Sequence, residues 1–202
     1  MESHRERKKR HTKQLLVTTA FRLFDEQGYE QTTIEQIASA ADVARKTFFN
    51  YFPSKADVVF AGMEQYVTVA SQLLAARTRH ESVADLLLRI FDRAIASYLV
   101  EGPMADQPEL AEIYFRLVTT VPALQTRAMN ILTDLQHEIA QALLTSFPDQ
   151  LDPISAAAAV GSMMGAVQAA GLAGHELGQS EEEQIASMRR AAEIAVRGLR
   201  SF

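Results

Sequence analysis

The sequence predicts an all-α fold of about nine helices, three short ones leading a larger helical body. Three observations carry that prediction. No stretch alternates apolar and polar residues with period two, whereas apolar residues recur at three- and four-residue spacing along the whole chain. Helix-start signals also recur: Thr33 with Gln36, Ser54 with Asp57 and Ser82 with Asp85 each place a capping partner three residues after a hydroxyl.

The first helix is predicted from about Lys13 to Gln27, with Leu16, Val17, Ala20, Phe21 and Phe24 on one face and Gly28 as its stop. Thr33 and Gln36 open a second, with Ile34, Ile37 and Ala38 inward. Asp42 marks a tight turn, and a third short helix follows until Pro53 forbids continuation. Ser54 starts a longer fourth helix reaching about Arg77, and Ser82 a fifth ending near Glu101-Gly102-Pro103. Pro108 and Pro122 stand near the starts of the next two, which run to about Val121 and Ser146. Asp152-Pro153 caps an Ala/Gly-rich eighth helix, and Ser180 with Glu181, Glu182 and Glu183 opens the ninth with acids where the helix dipole favours them.

The 202 residues can bury a substantial core, and 48% hydrophobic with 22% charged residues is a globular composition. There is no cysteine, which excludes disulfides, thiolate metal sites and a cysteine nucleophile and suits a reducing cytoplasm. The basic start, MESHRERKKRHTK, has no apolar stretch behind it and does not read as a signal peptide. Residues 154–174 carry no charge and have membrane-spanning length, but they are mostly Ala, Gly and Ser, so a buried, closely packed helix and no membrane contact are expected. The net charge of −5 is unevenly placed: residues 1–55 sum to +3, the remainder to −8, and no lysine follows Lys55. A basic head on an acidic body directs the search for a polyanion partner to the N-terminus.

The stretch ARKTFFNYFPSK, residues 44–55, concentrates rings and cations there. On a helix at 100° per residue, Phe48 and Phe52 share one side, while Lys46 and Asn50 point away from it. Arg45 with Phe49, and Thr47 with Tyr51, occupy the shoulders. Two aromatics can thus anchor a helix too short to stand alone, and the opposite face offers cation, amide, hydroxyl and ring to a partner. Lys55 falls in the first turn of the fourth helix, where the dipole disfavours a cation unless a phosphate sits beside it. With the second and third helices joined by a tight turn, residues 33–52 form a helix-turn-helix pattern.

The run TTIEQIASAADVARKTFFNYFPSKADVV, with its lead-in FRLFDEQGYEQTT, resembles the DNA-binding domain of the tetracycline-repressor (TetR) family of transcriptional regulators over about residues 9–69. The resemblance implies a basic arm at 1–8, a DNA-binding domain at 9–69, and a ligand-binding and dimerisation domain at 70–202. It further implies a homodimer, a double-stranded operator of inverted symmetry and a small-molecule effector. Arg45, Lys46 and Phe49 would read base edges; Thr47, Tyr51 and Lys55 would grip phosphates, with Thr33 near the backbone. Asn50 joins them from its place on the helix wheel. Two positions depart from the family pattern. Asp42 stands where glycine is common, which a left-handed turn tolerates, and Ala44 stands where serine or threonine often caps. The arm has two readings, a minor-groove contact or a disordered solubilising tail.

In the body, Ile185, Met188, Ala192, Ala195 and Leu199 form a heptad-like seam, and Ala158, Gly161, Gly165 and Ala169 permit close backbone approach. Both are expected at a dimer interface of four helices. Phe60, Met63, Tyr66, Phe91, Tyr98, Tyr114, Phe115, Met129 and Leu132 are candidate pocket residues for an apolar or amphipathic ligand. The RERKKR…TFFNYFPSKADVV style also resembles a subgroup associated with acyl-CoA-like ligands. No GxSxG, P-loop, GxGxxG or HExxH occurs, and His4, His11, His80, His137 and His175 lack metal-ligand spacing, so no enzyme, cofactor or metal is expected. The expected function is a cytoplasmic DNA-binding regulator, a repressor that a ligand releases. The alternative is an all-α dimeric adaptor or ligand-binding protein without sequence-specific DNA binding.

Overall fold

The computed structural model describes residues 3–78, 80–101 and 107–197, and all regular structure among them is helical. Ten helices follow one another: α1 (His4–Gln27), α2 (Ile34–Ala40), α3 (Arg45–Phe49), α4 (Lys55–Val59), α5 (Glu64–Ala75), α6 (Val83–Glu101), α7 (Pro108–Thr120), α8 (Pro122–Ser146), α9 (Pro153–Glu176) and α10 (Glu181–Arg197). The chain divides into two compact units, residues 1–63 with 101–129, and residues 64–100 with 130–202.

In the first unit α1 packs against α2, α4 and α7, and α2 against α3. The face anticipated for α1 is the one buried, Leu16, Val17, Ala20, Phe21 and Phe24. The helix nevertheless begins nine residues earlier than its apolar pattern. Ser3 caps it, its hydroxyl accepting from the Glu6 amide while the Glu6 carboxylate accepts from the Ser3 amide. The basic arm is therefore the exposed first turns of α1, not a separate tail. Thr33 closes the predicted capping box on α2, with Gln36 N–H donating to its hydroxyl at 3.2 Å and Gln36 Oε1 accepting from its amide at 2.8 Å. Asp42 takes the left-handed conformation at φ 53°, which lets the Val43 amide reach back to Ala38 O at 2.9 Å and turn the chain into α3.

The helix expected from Ser54 to Arg77 is two helices. The apolar periodicity runs on through the break, but Gly62 at φ 94° cannot belong to a right-handed helix. In the second unit, one core cluster gathers Leu86, Leu87 and Phe91 of α6, Ile139 and Leu143 of α8, Ala159, Val160 and Met163 of α9, and Ala192 and Val196 of α10. The connection at Gly178 (φ 67°) folds α10 back along α9. A side chain on Gly174 would meet Gln179 Oε1 at 2.6 Å and Gln184 Cγ at 3.2 Å, and one on Gly171 would meet Met188 Sδ at 3.3 Å, so both glycines lie against the connection or α10.

α9 is long and apolar enough to cross a membrane by length and composition alone. Only one of its sides is covered, by Ala156, Ala159, Val160, Met163, Gly171 and Gly174. Its other side, expected to be buried, is open: Ile154 is 82% exposed, Ala158, Gly165 and Ala169 are exposed, and a side chain added at Gly161 or Gly165 would touch nothing within 4 Å.

Candidate nucleic-acid interface

α3 has five residues, far below the length at which a helix is stable in water. Tertiary contact holds it. Phe48 is fully buried and Phe52 nearly so, their rings 5.8 Å apart, and Phe48 meets Phe49 edge-on at 5.7 Å. Burying each such ring contributes about 1.5–3 kcal/mol. Arg45, Lys46, Phe49 and Asn50 consequently face outward, and Thr47 and Tyr51 lie half-buried at the shoulders. Phe49 is 43% exposed, a large apolar surface for a residue with no part in the core. The eight positions from Arg45 to Phe52 thus sort themselves as the helix wheel requires.

Two charged positions carry more structure than their sequence indicates. Arg45 packs its guanidinium over the Phe49 ring, 5.2 Å from the centroid, and its Nε lies 2.6 Å from Glu35 Oε1 in the first turn of α2. Lys55, expected to reach outward, turns inward. Its ammonium donates to Tyr29 O at 2.5 Å and Thr32 O at 2.9 Å and lies 4.1 Å from the Tyr29 ring centroid. The helix dipole disfavours a cation at this position, and these two loop carbonyls offset it. Burial pulls the Lys55 ammonium below its usual pKa, opposed by Glu30, and burial also raises the Tyr29 phenol. Behind the ammonium, the Thr32 hydroxyl is buried and donates to Gly28 O at 2.8 Å. The same side chain fastens the end of α1 to the start of α2.

The scaffold is tied further from α7 and α8. Arg127 Nη2 donates to Asp57 Oδ1 at 2.8 Å, while Asp57 also accepts from the Ser54 cap, and Arg116 pairs with Asp25 of α1. These pairs join residues 70 and 91 positions apart, so no local pattern announces them.

The candidate pocket residues fall into both units. Phe60, Met63, Tyr114, Phe115 and Met129 belong to the first, where Phe60 and Tyr114 meet edge-on at 6.3 Å and Met129 is 57% exposed. Tyr66, Phe91 and Leu132 belong to the second, Phe91 in its core and Tyr66 packed against it. The Tyr98 side chain and Leu199 lie outside the described residues. Within the second unit a separate groove of about 270 Å³ lies between α5 and α8, lined by Val67, Ala70, Ser71, Leu74, His137 and Ile139 among others. The α10 seam packs largely within the chain: Ala192 is buried, Met188 meets Gly171, and Ala195 packs on the core, with Ile185 half-buried. Among the described residues no group of three or more acidic or imidazole side chains is placed to hold a metal.

Residues 16–61 match the model of bacterial regulatory proteins of the tetR family. That segment is of the TetR family. The chain is 30% identical over 138 residues to the transcriptional regulator TcmR of Streptomyces glaucescens, a match covering 68% of this chain and 61% of TcmR. The chain thus spans less than two thirds of that relative's length. Its fold is that of Thermus thermophilus FadR, a TetR-family repressor solved with lauroyl-CoA, at a TM-score of 0.55 and 21% identity over 93% of this chain and 94% of that one. A TetR regulator from Rhodococcus sp. RHA1 aligns over 98% and 99% of the two chains at a TM-score of 0.51 and 18% identity.

Proposed function

We propose that the chain is a cytoplasmic transcriptional regulator that binds double-stranded DNA as a homodimer and represses until a small ligand releases it. The single observation carrying this reading is α3 itself. It is pinned by Phe48 and Phe52 while Arg45, Lys46, Phe49 and Asn50 stand outward, as an element entering a major groove requires. Arg45, Lys46 and Phe49 meet base edges, Asn50 adds an amide, and Thr47, Tyr51 and Thr33 lie toward phosphates. The basic turns of α1 strengthen attraction to any duplex and steepen its salt dependence.

A dimer accounts for the open side of α9. Ala158, Gly161, Gly165 and Ala169 form a stripe of small residues flanked by exposed Ile154 and Leu172, and exposed Ile194 adds to it from α10. Two recognition helices fixed to one dimer then select half-sites of one spacing, and a ligand that alters the spacing lowers affinity. FadR carries lauroyl-CoA, so a long-chain acyl-CoA is the first ligand to try.

The test is selection of genomic DNA fragments by the purified protein at two salt concentrations, beside an Arg45→Ala/Lys46→Ala variant. Recovery of an inverted repeat that the variant loses is the expected result. Equal, unspecific recovery by both proteins would make α3 a scaffold element and favour the adaptor.

A further inference from the structure

Glu35 is an acid on a surface that has to meet a polyanion. Its side chain is 60% exposed and its partner Arg45 is 61% exposed, so the pair contributes only about 0–1 kcal/mol to folding. Stability does not explain it. Toward DNA in general the carboxylate is unfavourable, since it repels phosphates and cancels one of the cations of α3. What it supplies is orientation. The carboxylate approaches Arg45 at Nε, and the Phe49 ring covers one face of the guanidinium. A planar group held at one edge and on one face has little freedom left, and the edge opposite Nε presents Nη1 and Nη2 as two parallel donors. That is the fork which fits the O6 and N7 acceptors of guanine in the major groove.

We propose that Glu35 is a specificity-determining residue that holds Arg45 for one guanine contact and withholds it from phosphates. With the held fork aimed at a base edge, Arg45 on a duplex lacking that guanine reaches a phosphate only by swinging away from Glu35, whose carboxylate then faces the backbone unpaired. The acid therefore weakens the wrong complex more than the right one. This rests on the DNA-binding reading above, and the experiment separates the two.

Wild type, Glu35→Ala, Glu35→Gln, Arg45→Ala and the Glu35→Ala/Arg45→Ala double variant are titrated with the selected site and with a shuffled duplex of equal length, at one salt concentration. Glu35→Ala should bind the shuffled duplex several-fold more tightly and lose about tenfold in the ratio of the two affinities, the worth of roughly half a bidentate base contact. Glu35→Gln, which keeps an acceptor for Nε but no charge, should retain part of the ratio. In the Arg45→Ala background, removing Glu35 should leave the ratio unchanged. Thermal unfolding of the Glu35 variants should match wild type. If both affinities rise by the same factor, Glu35 merely repels DNA and the proposal fails. If the ratio falls as much without Arg45, Glu35 reads a base itself, which also overturns it. A wild-type protein with no preference for any site removes the DNA-binding reading and this one together.

Discussion

Replacing Lys55 with methionine tests whether the inward ammonium is a brace or an unused phosphate contact. Methionine preserves an unbranched stem of similar length and removes only the charged donor. The loss comprises two hydrogen bonds to main-chain carbonyls, at 2.5 and 2.9 Å, and one cation–π contact with Tyr29 at 4.1 Å. Hydrogen bonds from a charged donor contribute ~1.5–3 kcal/mol each when well buried, and the ring contact ~0.5–1 kcal/mol. Lys55 is only half-buried, and removing its charge relieves an unfavourable dipole, so the net destabilisation should be about 2 kcal/mol. For a chain of this length that lowers Tm by about 4–8 °C. The assay is thermal unfolding followed by circular dichroism, paired with binding to the selected site across a salt series. A brace lowers Tm and leaves the slope of log affinity against log salt where it was. An unchanged Tm with a slope smaller by about 0.9 would refute the reasoning and restore Lys55 as a phosphate ligand.

Phe48→Ala opens a cavity beneath α3 and should cost about 3–5 kcal/mol by denaturant unfolding, abolishing site-specific binding along with the fold of the first unit. Ala44 caps α3 without a side-chain hydrogen bond, so Ala44→Ser should raise stability by about 0.5–2 kcal/mol and move the urea midpoint upward. Asp152 accepts from the Ser155 and Ile154 amides, which hold its carboxyl below the usual 3.8. A depressed pKa makes its contribution present above that value and lost as the pH falls through the folded value. The stability advantage of wild type over Asp152→Asn should therefore be present at neutral pH and vanish in acid, as read by unfolding at a series of pH values.

The parts of this fold that were legible in the sequence are those that local chemistry dictates. Thr33 with Gln36, Asp42 at a left-handed turn and the division of α3 between Phe48 and Lys46 follow from capping, backbone sterics and helical period. Other parts escaped for physical reasons. The start of α1 carries no apolar residue, so periodicity misses it, although the Ser3–Glu6 box was present to be read. The break at Gly62 interrupts a pattern that continues on both sides of it, and glycine alone does not force a positive φ. The seam of α10 has the spacing of an intermolecular contact, but α9 lies close enough, through Gly171 and Gly174, to use most of it first. Glu35 carries no local signal of its role, because its meeting with Arg45 depends on how α2 crosses α3. Lys55 meets carbonyls 23 and 26 positions away, and no local window contains both ends of such a contact.

The anchoring of α3 by rings on its inner side has a consequence for how such a protein diversifies. Phe48 and Phe52 are buried and anchor it, whereas Arg45, Lys46, Phe49 and Asn50 are exposed, and the two sets share no positions. On the DNA-binding function proposed above, a substitution among the outer four changes which sequence is read at little cost to folding, so a descendant can acquire a new operator in single steps. Glu35 adds one restraint to that freedom. A change at Arg45 leaves the Glu35 carboxylate without its partner on the face proposed to meet DNA, and a lineage that alters one of the two gains from altering the other.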